Sequence, residues 1–567
     1  MLLLGLIWIV VTAVLARSEL DRVRADVQRL RAQVSAGDLA GARATASVLS
    51  SHADHAHALT GGPAWVVAAH IPWAGAPLHV ARSVAASVDG LSHHALPQLV
   101  DASHQLDPAR LRRGDGSIDL APIAAVKPQL DAAASSMSGA VASVSRLPGS
   151  TWAPFVDHAR TDLLTQLTAL GRTVTSADLA ARVVPPMLGQ DGPRSYFVAF
   201  QNDAEARGTG GLPGAFAVVT ASHGTVKFQR FEPDSVLGGV HATVELGAAY
   251  DQLYGGMGTT TLYQNGNLSP HFPYAAQIWA SMWRNYSGQR VDGVVAVDPT
   301  ALSYLLKVTG PVATTDGTTV DAANVVALTQ STVYAKYPGP AQNAQRRDYL
   351  LDVAKSVSDR LVGDHGDTKA LVRAAGEAAG QRRLLVWSAH PKEEADLMQT
   401  AVSGAIPVTS APYVGLSIVN DGGNKLDYYL DRSISWQRSS CGATRESTAT
   451  ITLTNNAPAG GLSYYVTARS DRRSYSVRPG DNRLEVSYFA TSGALMQEVT
   501  VDGKPVTASA GSERGHPVYT VDLELPRGAT RTIVLHLTEP AGEGAPVVLR
   551  QPLVRPLAVH LSDPPCR

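Results

Sequence analysis

Charge, lysine and cysteine are all scarce in this chain of 567 residues. Only 17% of the residues are charged, below the ~25% usual in soluble domains. The 48 basic and 49 acidic side chains leave a net charge of −1. That balance excludes a chain-wide basic footprint for nucleic acid, and equally an acidic solubilising tail. Lysine accounts for 9 of the basic residues and arginine for 39, a skew that fits a GC-rich coding sequence rather than a chemical purpose. No HExxH, CxxC or GxSxG pattern occurs, so zinc-protease and serine-hydrolase chemistry has no support. No repeat of 20–50 residues is present. The two cysteines, Cys441 and Cys566, fall in one C-terminal region. A disulfide between them suits an oxidising compartment and would contribute about 4–5 kcal/mol by loop closure; two unrelated buried thiols are the alternative.

The one long apolar run is short for its kind. LLLGLIWIVVTAVL, from Leu2 to Leu15, is apolar except at Thr12, whereas a membrane span needs about 20 residues and at least ~17. The length suits the core of a signal peptide, but no small-x-small cleavage site closes it. Arg17 instead opens a polar amphipathic segment. We read residues 1–17 as an uncleaved transmembrane signal anchor, which makes the protein single-pass at the cell membrane with its bulk extracytoplasmic; a buried N-terminal helix is the alternative. Arg17, Arg22, Arg24, Arg29 and Arg31 follow the run and oppose that topology under the positive-inside rule, a conflict that a basic segment upstream of Met1 would remove.

Three further regions follow. Residues 18–185 carry Ala, Leu and Val at three- and four-residue spacing, broken at Gly61-Gly62-Pro63, Ile71-Pro72 and Leu147-Pro148-Gly149. This predicts a helical bundle or stalk. Residues 186–425 alternate β-branched runs with helical patterns and predict an α/β domain. Residues 426–567 show period-two alternation with turns at Pro479-Gly480-Asp481 and Asp502-Gly503, which predicts an all-β, immunoglobulin-like sandwich.

The strongest chemical candidate is FQNDAEARGTGGLPGAFAVV, residues 200–219. Asp203 and Glu205 can hold a hard cation such as Mg²⁺. Arg207 can fork onto a phosphate, and Gly210 and Gly211 can let backbone N–H groups approach an anion. The loop is not a Walker or Rossmann motif, because the Lys-Ser/Thr is missing and a strand follows where a helix is needed. A tight turn stitched by an ion pair is the structural alternative. Asp298-Pro299 reads as an N-cap followed by a first helical proline. Arg346 and Arg347, after a Pro/Gly/Gln-rich loop, are candidates for phosphate binding. HADHAH, with His52, Asp54, His55 and His57, places only His52 and His55 on one helix face, so no metal site is expected there.

At FQNDAEARGTGG, SPHFPYAAQIWASMWRNYSGQRVDGVVAVDPTALSYLLKVTGPV and LDYYLD the chain resembles the domain of unknown function 4012 family of bacterial, often actinobacterial, envelope proteins. More distantly, the order of elements resembles that of the LytR-CpsA-Psr phosphotransferases. Those enzymes move glycopolymers from polyprenyl pyrophosphate to peptidoglycan. That likeness implies counterparts in Asp203 with Arg207, in Asn265 or Asn267, and in Arg346 or Arg347. The chain departs from it where Gly208-Thr209-Gly210-Gly211 and Glu232-Pro233-Asp234 replace the charged pairs of those enzymes. Two functions are therefore expected. One is metal-assisted phosphoryl transfer of a lipid-pyrophosphate-linked glycopolymer, with Asp203, Arg207 and Asp234 catalytic, Asp234 as base, and Asp203 and Glu205 on Mg²⁺. The other is a non-catalytic envelope scaffold that binds cell-wall glycan or protein. Convergence of Asp203, Arg207 and Arg346 or Arg347 on one cleft favours the first; internal ion pairing favours the second.

Overall fold

A computed structural model describes residues 2–36, 38–106, 111–363, 367–439, 441–471, 474–542 and 544–564. It divides into two compact units: Met1–Arg113 with Ile118–Gln190, and Asp191–Arg567 with Gly114–Ser117.

The first unit is helical, as the spacing of its apolar residues predicts. Its long helices are Leu2–Ala36, Leu39–Gly61, Ala76–His94, Lys127–Ser145 and Pro154–Met187. The helix ending at Gly61 restarts at Pro63, where the missing N–H of a first-turn proline costs nothing. Asp38 caps the second helix by accepting from Gly41 N. Alanines recur at the contacts. Ala95 and Ala133 pack with Met137, Leu167 and Val174, so the helices approach closely.

The expected membrane anchor is not found. Among the described residues no helix is long and apolar enough to cross a membrane, so the transmembrane, single-pass localisation is corrected. The apolar run is the start of a 35-residue helix. Its 14 residues rise about 21 Å, against a hydrocarbon core of ~30 Å. One side of the run packs inward: Thr12 and Ala16 are buried, and Trp65 Nε1 donates to Thr12 Oγ1 at 2.8 Å. Ile7, Trp8, Val10, Val11, Val14 and Leu15 face outward.

The second unit opens with β1 (Arg194–Arg207), β2 (Gly210–Ser222) and β3 (Thr225–Pro233), a meander joined by tight turns. Next come β4 (Gly293–Val297), a small ribbon of β5 (Val312–Ala313) and β6 (Thr319–Val320), and β7 (Leu384–Ser388). The main sheet has the order β3-β2-β1-β4-β7, and its one parallel pair is β1 with β4. It is thus a mixed sheet, and a LytR-CpsA-Psr-like α/β fold is not confirmed. The meander makes its strands antiparallel, leaving one crossover to make a parallel neighbour. The helix Phe272–Ser287 covers one face, and Phe197, Phe216, Trp279 and Trp283 form its core with Tyr263.

The chain then builds β8 (Tyr413–Asn420), β9 (Leu430–Arg438), β10 (Thr444–Asn455), β11 (Asn482–Phe489), β12 (Leu495–Val501) and β13 (Lys504–Pro505). After these come β14 (Ser509–Glu513), β15 (His516–Leu525), β16 (Thr530–Pro540), β17 (Val547–Arg550) and β18 (Leu557–Ser562). Sheets of order β13-β12-β16-β10-β9-β18 and β14-β15-β11-β8-β17 share one core, including Leu416, Ile418, Trp436, Ile451, Val486 and Leu535. Burial alternates along β9 and β10, as period-two patterning requires. The immunoglobulin-like topology is not confirmed. β17 pairs with β8 and β18 with β9, both in parallel, because the tail runs back along both sheets instead of ending at β16. The sandwich also takes β8 from the segment assigned by sequence to the α/β domain, and both halves lie in one compact unit.

Candidate functional site

β1 is long enough to leave its own sheet. Register shifts at Phe200/Gln201 and Asn202/Ala206 bend it, and its last residues, DAEAR, enter the β-sandwich, whose core includes Ala206. The candidates Asp203, Glu205 and Arg207 ride on this end and are 0%, 4% and 6% exposed. Each is engaged by the protein itself.

Glu205 lies between two cations. Oε1 accepts from Arg207 at 3.0 Å, and Oε2 pairs with Lys425. Burial acts to raise the Glu205 pKa, but the Lys425 and Arg207 charges outweigh it and hold the carboxyl below its ordinary value. Lys425 is depressed by burial and lifted further by Glu205, ending above its ordinary value. Arg207 spends its remaining donors on the carbonyls of Gln264 (3.2 Å), Ala206 (2.9 Å) and Asn420 (3.2 Å). Around this cluster Asp427 accepts from Ala206 N at 2.7 Å, from Asn420 at 2.7 Å and from Asn482 at 2.8 Å. Gln551 Nε2 donates to the carbonyls of Arg207 and Ile418, both at 2.6 Å. Both oxygens of Glu205 are therefore taken, with two positive charges already present, so the pair Asp203–Glu205 does not fit an added Mg²⁺.

Asp203 belongs to a second cluster. Arg383 reaches Asp298 at 2.6 Å and Asp203 at 3.6 Å, and donates to the Leu553 carbonyl at 2.8 Å. Burial drives the Asp203 pKa well above its ordinary value; the Asp298 charge adds to that and Arg383 opposes it. Asp298 Oδ1 accepts from Ala301 N at 2.7 Å, the N-cap role that Asp-Pro predicts.

The glycine loop is no anion cradle. A Cβ on Gly208 would stand 2.1 Å from the Leu268 carbonyl oxygen, and one on Gly211 would stand 2.1 Å from the Asn202 backbone. Gly210 has φ +142° and faces Asp203. These glycines admit neighbouring backbone, not a ligand. Asn267 donates to Gln201, to Thr209 and to the Gly211 carbonyl, so it ties the same hairpin, and Asn265 donates to the Met257 carbonyl.

Arg346 is buried. It donates to the Tyr337 carbonyl and to Asn343 and stacks 3.6 Å from the Tyr465 ring centre. Arg347 is exposed and lines a pocket with Phe200, Val297, Leu302, Leu350 and Leu351. The pocket, of about 640 Å³ with its open mouth, lies beyond the carboxyl ends of β1 and β4, where open α/β sheets place ligands. Burial raises the Asp234 pKa; the Gln264 hydrogen bond of 2.6 Å opposes it, as do the Lys425 and Arg347 charges. The structure therefore separates the predicted residues into two buried ion clusters, one stacked arginine and one exposed arginine. Cys441 has no free thiol, and Cys566 lies outside the described residues.

Lys425, Arg383, Asp427 and Gln551 were not singled out from sequence. Asp427 sits within LDYYLD, and Lys425 is an isolated member of a scarce residue type; those were the only signals.

In class, then, this is a helical unit followed by a mixed-sheet domain clamped to a β-sandwich by buried charge. Residues 191–334, from the approach to β1 to the segment before Arg346, match the model of a family described as "Protein of unknown function (DUF4012)". No curated protein matches the chain. Among solved structures, a Legionella pneumophila protein described as a "putative nutrient binding protein" is similar at 11% identity with a TM-score of 0.15. The match covers 24% of this chain and 46% of that one, so the chain spans under half of that protein's length, and a likeness so low carries no argument.

Proposed function

We propose that the protein is a non-catalytic envelope scaffold whose mixed-sheet domain binds an anionic amphiphile in the pocket beside Arg347. The observation that carries this reading is the burial and internal pairing of Asp203, Glu205 and Arg207. Phosphoryl transfer needs such groups at the reacting atoms; here a substrate would have to displace partners that the fold supplies. An apolar pocket with a cation at its wall suits an apolar chain bearing a phosphate. The likeness to the LytR-CpsA-Psr enzymes supplies the class of ligand, a lipid-pyrophosphate-linked glycopolymer, and not the reaction.

The test is binding of a micellar polyprenyl-pyrophosphate glycan to the full chain, with Mg²⁺ and with EDTA. Binding is expected to ignore EDTA, to yield no transfer product, and to weaken about 10-fold or more in Arg347→Glu, the loss of one charge-assisted contact. Product that appears with Mg²⁺ would restore the enzyme reading, and binding indifferent to Arg347→Glu would remove the pocket from it.

A further inference from the structure

Outside the mixed-sheet domain, the helical unit gathers imidazoles and carboxylates that the sequence keeps apart. Glu19 and Asp26 are seven residues apart on the first helix, hence on one face two turns apart. His52 and His55 are three apart on the second helix and share a face. The two helices bring the faces together. His52 Nδ1 lies 2.6 Å from Glu19 Oε2, and His52 Nε2 lies 3.9 Å from Asp26 Oδ2. Ligand atoms of Glu19, His52 and His55 all fall within 4.8 Å of one another.

Two details distinguish this trio from ordinary surface pairing. First, each carboxylate is held from behind by an arginine one turn later. Arg22 takes Glu19 Oε1 at 2.7 Å and Arg29 takes Asp26 Oδ1 at 2.9 Å, which leaves Oε2 and Oδ2 turned to His52. Second, Asp26 is only 4% exposed, and its Oδ2 has no hydrogen-bond partner. A buried carboxylate oxygen left unpaired is costly. Its nearest imidazole is His52, in the position of the outer carboxylate that orients a metal-bound histidine.

We propose that Glu19, His52 and His55 bind a divalent transition metal of the zinc class, with Asp26 as the positioning residue on the far nitrogen of His52. Two imidazoles and one carboxylate suit Zn²⁺ and its neighbours, not Mg²⁺ or Ca²⁺, which take oxygen. His55 is exposed, so the remaining coordination positions face solvent. The metal joins the first two helices, and its binding is linked to their folding. The sequence pattern concealed this because His52, His55 and His57 do not share one face, and the acidic ligand comes from the preceding helix. A neighbouring trio, Asp54, Asp89 and His93, lacks these features. Its His93 and Asp54 are already paired at 2.6 Å, and both are about half exposed. It serves as the internal control.

The experiment is calorimetric titration of the untagged, metal-stripped full chain with Zn²⁺, alongside visible d–d absorption with Co²⁺. One equivalent of Zn²⁺ is expected that excess Mg²⁺ does not displace. His52→Gln and Glu19→Gln should weaken that equivalent 10-fold or more, and Asp26→Asn by about 10–100-fold, while His93→Gln keeps it. Co²⁺ bands should vanish in His52→Gln and persist in His93→Gln. Circular dichroism of each variant establishes its helix content, and Glu19→Gln stands in if His52→Gln loses helix. No Zn²⁺ uptake by the wild-type chain overturns the proposal. So does uptake unchanged by both His52→Gln and Glu19→Gln, or uptake lost only in His93→Gln.

Discussion

Replacing Arg207 with alanine should unfold the second unit more readily, not merely silence a site. The substitution strips donors from the carbonyls of Gln264, Ala206 and Asn420 and removes one of the two cations on Glu205. Breaking a buried ion pair from one side costs about 3–5 kcal/mol. Lys425 still holds Glu205, which favours the lower end, whereas three buried carbonyls without donors favour the upper. We therefore expect a loss of about 4 kcal/mol. The assay is urea unfolding of the full chain by tryptophan emission, because Trp279, Trp283 and Trp436 are fully buried in this unit, with far-ultraviolet dichroism reporting the helical unit. The emission transition should move to lower urea. An exposed, ligand-binding arginine would shift stability by no more than about 0.5 kcal/mol. An unfolding midpoint that moves by less than about 1 kcal/mol, together with lost glycan binding, would refute the structural role assigned to Arg207.

Glu513 is buried, accepts from Tyr254 at 2.7 Å and from Ser269, and has its pKa pushed by burial from 4.5 up to about 7. A raised folded-state value means the stability is fully present below pH 4.5 and is lost as pH rises to about 7; the change corresponds to about 3 kcal/mol. Unfolding measured across that range should show a slope that Glu513→Gln flattens, and an equal slope in both proteins would count against it. Asp203→Asn should cost nothing, or stabilise, at neutral pH, because burial already favours the protonated carboxyl; a loss above about 2 kcal/mol would show that the charge is needed. If Cys441 is joined to Cys566, an unreduced digest will contain the linked peptide, and reductant should lower the melting temperature in step with a loss of about 4–5 kcal/mol.

What the sequence disclosed was mostly local. Asp298-Pro299 announced a capped helix, and the observed 2.7 Å bond to Ala301 N needs no distant partner. Helical spacing before residue 190 and alternation after 430 were legible because each depends on neighbours within one turn or one strand. The DAEAR segment was legible as a place where charge accumulates, but its meaning depended on Lys425, Arg383 and Gln551, which arrive from some 180–340 positions further along. The same glycines serve an anion or a crossing backbone, and only Leu268 and Asn202 decide between them. β8 was hidden for a related reason. Buried at every position, it shows none of the alternation by which the other sandwich strands were recognised.

The return of the tail along both sheets has a consequence for biogenesis. β17 and β18 pair with β8 and β9, and Gln551 between them fastens the carbonyl of Arg207 across 344 positions. Until the ribosome has released nearly the last twenty residues, both sheets present bare edges and the end of β1 has no clasp. Contacts so distant along the chain close slowly, and exposed edges invite pairing with other chains. The nascent protein thus has a window in which it depends on protection from its surroundings, and loss of a few C-terminal codons would prolong that window indefinitely.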